Sequence, residues 1–463
     1  MSSTSQAVKR TSNYNLWTQE CRSILTLGLP LVGAQLAQMG ISISDTVMVG
    51  WLGTEQLAAL VLATQLGLVI HLTGYGILGA VLPLASTAEG KGDKAEVRRV
   101  TRMGLWWALL LALIATPVLW FTEPIFLAFG QEPEVSRLAS EYLRIFLWSY
   151  YFSMAVIAFR GFFSSIGKTT VLLWANIVGV LLNILFNYIL IFGALGIPAY
   201  GIHGAAAASL VTYAGMLSFL LAYVYWEPKA RSYDLLTRFW KADFPKMVEI
   251  FKLGYPIALM FLSDVGVFIV AAFFMGWIGA VEVAAHGIAL QVVSIIYMIP
   301  MGISNAGTVR VGQALGRKDK QGITLSGWSI ILMAMVITLT GTLLLWLFSD
   351  QVLALYIEES NPDIVELSAT ATTLLLIGTA FLMADGVQVA ASAALRGLSD
   401  TKVPMYIGLF CYWGISATLA YALGFWVELG AMGIWIGLST GLFVTATLFS
   451  LRFYNREKLG LAG

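Results

Sequence analysis

Charge is what this chain has least of. Only 11% of its 463 residues are Asp, Glu, Lys or Arg, whereas a soluble domain carries about a quarter. A water-facing surface cannot be built from so few. The net charge of +1 also leaves no electrostatic footprint for nucleic acid. Cysteine is nearly missing: Cys21 and Cys411 are isolated thiols, which excludes a disulfide framework and a thiolate metal cluster and leaves the redox compartment illegible. The three histidines, His71, His203 and His286, are scattered. No Gly-rich loop ends in Lys-Ser/Thr, no nucleophile elbow occurs, and no soluble segment is long enough to hydrolyse ATP. An enzyme is not expected, nor a cofactor. The first twenty residues are polar and the apolar run after them exceeds a signal-peptide core, so the first hydrophobic segment is expected to stay in the protein.

What is abundant is apolar length. Hydrophobic residues make up 58% of the chain, in runs of twenty or more that can cross about 30 Å of hydrocarbon at about 1.5 Å per helical residue. Helices satisfy their own amides where water is absent, and the Leu-, Ala- and Gly-rich runs do not alternate like barrel strands. Twelve spans are predicted, near 25–49, 57–87, 99–121, 136–162, 168–193, 201–226, 247–278, 281–315, 322–348, 364–395, 401–425 and 430–453. Lys and Arg test the count, because they gather in cytoplasmic loops. With the N-terminus inside, 25 of the 27 fall on the cytoplasmic side and only Arg137 and Arg144 outside. The outer loops carry Glu123, Glu132, Glu134, Glu358, Glu359 and Asp363. The expected product is an all-α, multi-pass protein of the plasma (inner) membrane with both termini cytoplasmic.

A shift of 226 residues aligns Leu27–Lys94 with Leu253–Lys320 without a gap, at 21 identities in 68 positions, where chance gives roughly five. Gly28 and Pro30 match Gly254 and Pro256, Gly76 matches Gly302, and Asp93-Lys94 matches Asp319-Lys320. The halves are duplicates of six spans each, an even number, so they enter the membrane in the same orientation. The predicted organisation is a cytoplasmic segment 1–24, an N-lobe 25–226, a basic cytoplasmic linker 227–246, a C-lobe 247–453 and a cytoplasmic tail 454–463. Pro30 and Pro256 kink the first span of each half; a fixed bend and a hinge are both open at this level.

Of 26 carboxylates, 23 lie in loops or at span ends, which leaves Asp45, Asp264 and Asp385 deeper in spans. Each costs about 2.5 to 3.5 kcal/mol on insertion scales when deep in a helix, and no Lys or Arg lies at comparable depth to neutralise them. Protons, metal cations or organic cations are the natural partners. Asp385 lies eleven residues before Arg396 at the inner end of span 10, whereas Asp45 is only five residues from Gly50, so a solvated helix end is a second reading for it. The duplication sets Asp45 against Ala271 and Asp264 against Gln38. The acids are therefore not inherited structural features, and the second half, with two of them, is the expected seat of ion coupling. Asn183 and Asn187 share one face of span 5 near Ser209 of span 6; such groups either tie helices together or line a cavity. His286 begins span 8 and reads as a structural hydrogen-bond donor or a site residue.

In this order the residues resemble the multidrug and toxic compound extrusion (MATE) family, in its bacterial NorM-type branch, along essentially the whole chain. The matching stretches are Gly28 to Gly50 with Asp45, Asn183 and Asn187, Leu253-Gly254-Tyr255-Pro256 followed by Asp264, Ala284-Ala285-His286, Pro300-Met301-Gly302, and Asp385-Gly386-Val387-Gln388 leading to Leu395-Arg396-Gly397. The resemblance implies two six-helix lobes around a central cavity, exporting drugs by alternating access as Na+ or H+ flows in. It places Asp45 with Asn183 and Asn187 in an N-lobe site, and Asp264 with Asp385 in a C-lobe cation site. Two positions depart from the branch: Asp264 stands where Glu is usual, and Phe381 replaces a tyrosine one turn before Asp385. Both weaken a Na+ site of oxygen donors and favour H+. The expected partners are small organic cations and membrane lipids, the expected working unit a monomer. The alternative is a lipid or lipid-linked oligosaccharide flippase of similar architecture.

Overall fold

The repeated Asp-Lys pair shows how duplication writes local structure. Asp93 accepts a hydrogen bond from the Glu96 amide at 2.9 Å, and Asp319 accepts one from the Gly322 amide at 2.8 Å, so each N-caps the third long helix of its half. The preceding residues, Gly92 (φ 73°) and Lys318 (φ 57°), are both left-handed; only the first half supplies the glycine that adopts this turn without strain.

The computed structural model describes residues 2–235, 237–356 and 364–461, with side chains from residue 15 to 235, 237 to 356 and 365 to 461. The outer-loop acids Glu358, Glu359 and Asp363, and the side chains of Lys9 and Arg10, lie outside the described residues. Among those residues, twelve helices are long and apolar enough to cross a membrane: α1 (Asn15–Gly50), α2 (Thr54–Gly90), α3 (Lys94–Trp120), α4 (Pro133–Ser165), α5 (Thr170–Phe192), α6 (Ile202–Trp226), α7 (Phe244–Ile278), α8 (Ala280–Gly316), α9 (Lys320–Leu353), α10 (Val365–Gly397), α11 (Lys402–Trp426) and α12 (Gly430–Tyr454). The protein is an all-α, multi-pass membrane protein.

The main difference from expectation is at the start. The helix carrying α1 begins at Ser2, not at residue 25, because no glycine or proline interrupts it before Gly28 and a helix that satisfies its own amides need not stop where the hydrocarbon does. Near the other end, α11 changes gauge, with π-helical stretches at Phe410–Ala417 and Ala422–Trp426. Such widened turns concentrate at functional sites.

Packing divides the chain into two compact units. One runs from Gly33 to Ala258; the other joins the chain up to Val32 with the chain from Leu259 onward. Each cut falls two residues after a proline, Pro30 or Pro256, and the cuts are 226 residues apart, the repeat interval. The first turns of α1 thus belong with the second half, and the first turns of α7 with the first half. Glycines make this possible by letting backbones touch. In the unit holding the first half, a methyl on Gly76 would lie 2.3 Å from the Ala258 Cα, and one on Gly254 2.3 Å from the Ile77 carbonyl oxygen. In the other unit, the repeat-related Gly302 sits against Val32 N at 2.7 Å and Gly28 against Ile303 Cδ1 at 2.7 Å, measured the same way. Polar clasps reinforce both. Trp107 Nε1 donates to the Met247 carbonyl at 2.9 Å. Glu20 accepts from Arg310 Nε at 2.9 Å and from Ser326 Oγ at 2.7 Å.

Gly76→Ala should therefore force a backbone shift costing about 1–3 kcal/mol, whereas Gly67→Ala, with nothing within 4 Å of the added methyl, should change stability by less than about 0.5 kcal/mol. Thermal unfolding of the purified variants checks this; equal midpoints would reject the close-crossing account.

Candidate ion and substrate sites

Two acidic sites arise, one in each unit. In the unit from Gly33 to Ala258, Asp45 of α1 faces α5, whose Asn183 and Asn187 are one turn apart and fully buried. Both amides donate to the same carboxylate oxygen, Asn183 Nδ2 at 2.8 Å and Asn187 Nδ2 at 2.7 Å, while Ser209 Oγ of α6 reaches the other oxygen at 3.4 Å. Asn187 also donates to Asn183 Oδ1 at 3.1 Å. These neutral donors hold the acid without cancelling its charge. Asn187 Oδ1 is buried with no hydrogen-bond donor to it among the described residues, which leaves it free to accept one. Sequence reasoning missed Tyr142 of α4, buried beside Ser209 and Asp45, and the bond from Gln38 Nε2 to the Tyr213 hydroxyl at 3.1 Å. Gln38 occupies the position that holds Asp264 in the second half.

In the other unit, Asp264 of α7 and Asp385 of α10 are both half-buried and within electrostatic reach of each other. No salt bridge among the described residues reaches either one. The Tyr412 hydroxyl lies beside both acids and accepts from Gln388 Nε2 at 2.7 Å. Gln388 follows Asp385 by three residues and so shares its helix face, and Tyr412 belongs to the π-helical turn of α11. Sequence analysis did not find Tyr412, because nothing in the spacing shows that a widened turn will aim that hydroxyl at α10. Gly386 brings α10 close to α9: a methyl there would sit 2.3 Å from Thr338 Cγ2.

Phe381 and His286 belong to a different part of this unit. The Phe381 ring lies 5.6 Å from Phe268 and 5.7 Å from Trp435, and Trp435 lies 5.7 Å from His286. Trp435 Nε1 donates to His286 Nδ1 at 3.1 Å, so this nitrogen is an acceptor and the ring carries its proton on Nε2, which is buried without a partner. Four helices thus share an aromatic wall one turn from Asp385. His71 meets the edge of Tyr150 at 6.3 Å.

Two neighbouring acids with no basic partner among the described residues can be neutralised by a proton or a cation. The donors present are hard oxygens, the two carboxylates with Tyr412 and Gln388; among the described residues no three His, Cys, Asp or Glu gather as a metal cluster. Protons, a hard cation or an organic cation fit this donor set.

A family model described as MatE matches residues 30–189 and 256–422. The chain belongs to the multidrug and toxic compound extrusion (MATE) family. The MATE segments begin at Pro30 and Pro256, 226 residues apart, and include all three aspartates, both asparagines and Tyr412, whereas Ser209 and Trp435 lie outside. The chain is 41% identical to a probable multidrug resistance protein NorM of Rhizobium meliloti, across 95% of this chain and 94% of that one. It is 38% identical to the corresponding protein of Agrobacterium fabrum, across 98% and 97%. A multidrug-resistance MATE transporter solved in an outward-facing conformation superposes with a TM-score of 0.86 at 22% identity, covering 95% of this chain and 97% of that one. A eukaryotic MATE transporter superposes with 0.85 at 19%, covering 96% and 98%. The fold is the two-lobed MATE fold.

Tyr412→Phe leaves the buried Gln388 amide unpaired and should destabilise the protein by about 1–3 kcal/mol, while adding Gln388→Leu removes both polar partners and should recover most of that loss. Unfolding midpoints of the single and double variants measure it; purely additive effects would show that the pair is not coupled.

Proposed function

We propose that this MATE protein is a secondary antiporter of the plasma (inner) membrane that exports cationic or amphipathic drugs and toxic compounds in exchange for Na+ or H+. The observation that carries the reading is the Asp264 and Asp385 pair, on two membrane spans beside Tyr412 with no salt bridge among the described residues. The NorM names of its relatives support the substrate class. Both termini are taken as cytoplasmic on the distribution of Lys and Arg. Each acidic site is assembled within one unit of a single chain, so the reading needs no second copy. It is a transport protein rather than an enzyme. The coupling ion and the drug compete for the same carboxylates, which are exposed alternately to the two sides of the membrane. Whichever positive species occupies the site excludes the other, and that exclusion couples inward ion flow to outward drug flow. The short Asp264 side chain and the oxygen-free Phe381 favour H+ over Na+ as the coupling ion. Acidic sites also speak against the flippase alternative, since an anionic headgroup calls for a basic cavity.

Proteoliposomes should move a fluorescent cationic dye when a Na+ or H+ gradient is imposed, and Asp385→Asn, which removes charge but little volume, should lower gradient-driven efflux at least about tenfold while the protein still inserts. Transport indifferent to both gradients would defeat the coupling, and wild-type efflux by the variant would make Asp385 incidental.

Protons and dye compete for the acid pair, so raising pH empties it of protons and favours the dye. Binding to the purified protein should tighten from about pH 6 to about pH 8, and Asp264→Asn should flatten the dependence. A variant that keeps the wild-type slope would move the proton site to Asp45.

A further inference from the structure

The segment after α6 is more than a tether between the halves. Residues 237–243 are fastened to α3: Arg102 Nη1 donates to the carbonyls of Thr237 and Arg238, both at 3.1 Å, and Trp106 Nε1 donates to the Phe239 carbonyl at 3.0 Å. Arg99 reaches Asp243 at 2.8 Å. Burial alone would raise the Asp243 carboxyl, but Arg99 and Lys246 outweigh it and hold it below the usual carboxylate range, so Asp243 stays ionised. The result is a cavity of about 550 Å³ lined by Arg98, Arg99, Arg102, Arg238 and Lys241, with Asp243 as the carboxylate among them.

The charges in it are not balanced. Asp243 and Glu96 occupy Arg99, but Arg98, Arg238 and Lys241 have no carboxylate partner among the described residues. Arg102 is only 8% exposed and its Nε has no hydrogen-bond partner. Arg238 is held at φ 54°, a left-handed conformation that a non-glycine residue adopts at a cost and that clusters at ligand sites. Beside the cavity, Trp240 and Phe244 are 77% and 71% exposed. An exposed Trp at a helix entrance suits the bilayer interface, where Trp is enriched, and the apolar Phe244 ring both lines the cavity and starts α7.

We infer that this basic cavity binds the phosphate headgroup of an anionic glycerophospholipid, with Trp240 and Phe244 lying along its acyl chains. The guanidinium groups match phosphate geometry and the exposed rings match a lipid rather than a free anion. The orientation proposed above decides only which leaflet supplies the lipid.

Native mass spectrometry of the full-length protein in neutral detergent tests this with phosphatidylglycerol, phosphatidylcholine and inorganic phosphate as separate probes. The protein should retain phosphatidylglycerol over phosphatidylcholine. The variant Arg98→Gln/Arg238→Gln/Lys241→Gln should weaken phosphatidylglycerol binding about tenfold or more, while Arg98→Lys/Arg238→Lys keeps it within about threefold of wild type. Equal retention of the two lipids, or wild-type affinity in the triple variant, would overturn the proposal. So would binding of inorganic phosphate, lost in the triple variant, with no lipid preference. If the triple variant does not fold, Arg238→Gln/Lys241→Gln, which alters exposed side chains only, should still weaken binding by about threefold or more. Lipid retention in detergent is blind to sidedness. Labelling of a Lys241→Cys variant from outside intact cells would therefore reject the orientation alone.

Discussion

A carboxylate inside a hydrocarbon slab must be given donors or a cation, and the two acidic sites answer that demand differently. Asp45 receives two side-chain amides and a hydroxyl, which tolerate its charge yet leave it uncancelled. Asp264 and Asp385 lie within electrostatic reach of each other and of the Tyr412 hydroxyl, with no cationic partner among the described residues. A lysine at comparable depth would have made either site a structural ion pair. Among the described residues neither site has one, and an intramembrane acid without a basic partner is a candidate functional group.

Those sites stay in place because the backbone around them is tightly packed with small residues. Lipid gives helices no hydrophobic reason to associate, so contact area and close approach must do it. Gly76, Gly254, Gly28 and Gly302 bring chain to within van der Waals contact at two repeat-related crossings. In α10, Ala390, Ala391, Ala393 and Ala394 are fully buried directly after Asp385 and Gln388. The most buried span of the twelve therefore carries Asp385.

Much of this was legible from residue type and spacing. The spans follow from apolar length and the duplication from identity at a fixed interval, because both are properties of the chain order itself; the caps at Asp93 and Asp319 were seen only as a repeated pair. The three aspartates stood out because their cost is a property of the side chain and its depth. The Asn183 and Asn187 pair was visible through helical periodicity, although its partner, Asp45, was shown only by the bonds between them. Tyr412, Tyr142 and the Trp435 to His286 bond were not legible. Each joins helices far apart in the chain, and a span's apolar composition does not say which of its faces meets which neighbour.

The division into two units has the same character. The repeat ends at a loop, so sequence alone places α1 with the first half and α7 with the second. Packing instead parts each helix two residues beyond its proline, so the two segments of one helix have different neighbours. What the sequence determined by itself is what local chemistry dictates: a membrane-spanning, twice-repeated helical chain with three uncompensated acids. What only the tertiary structure decided is which donors meet those acids, which half each helix end joins and where the basic linker folds, because these contacts are made between residues that chain order does not relate.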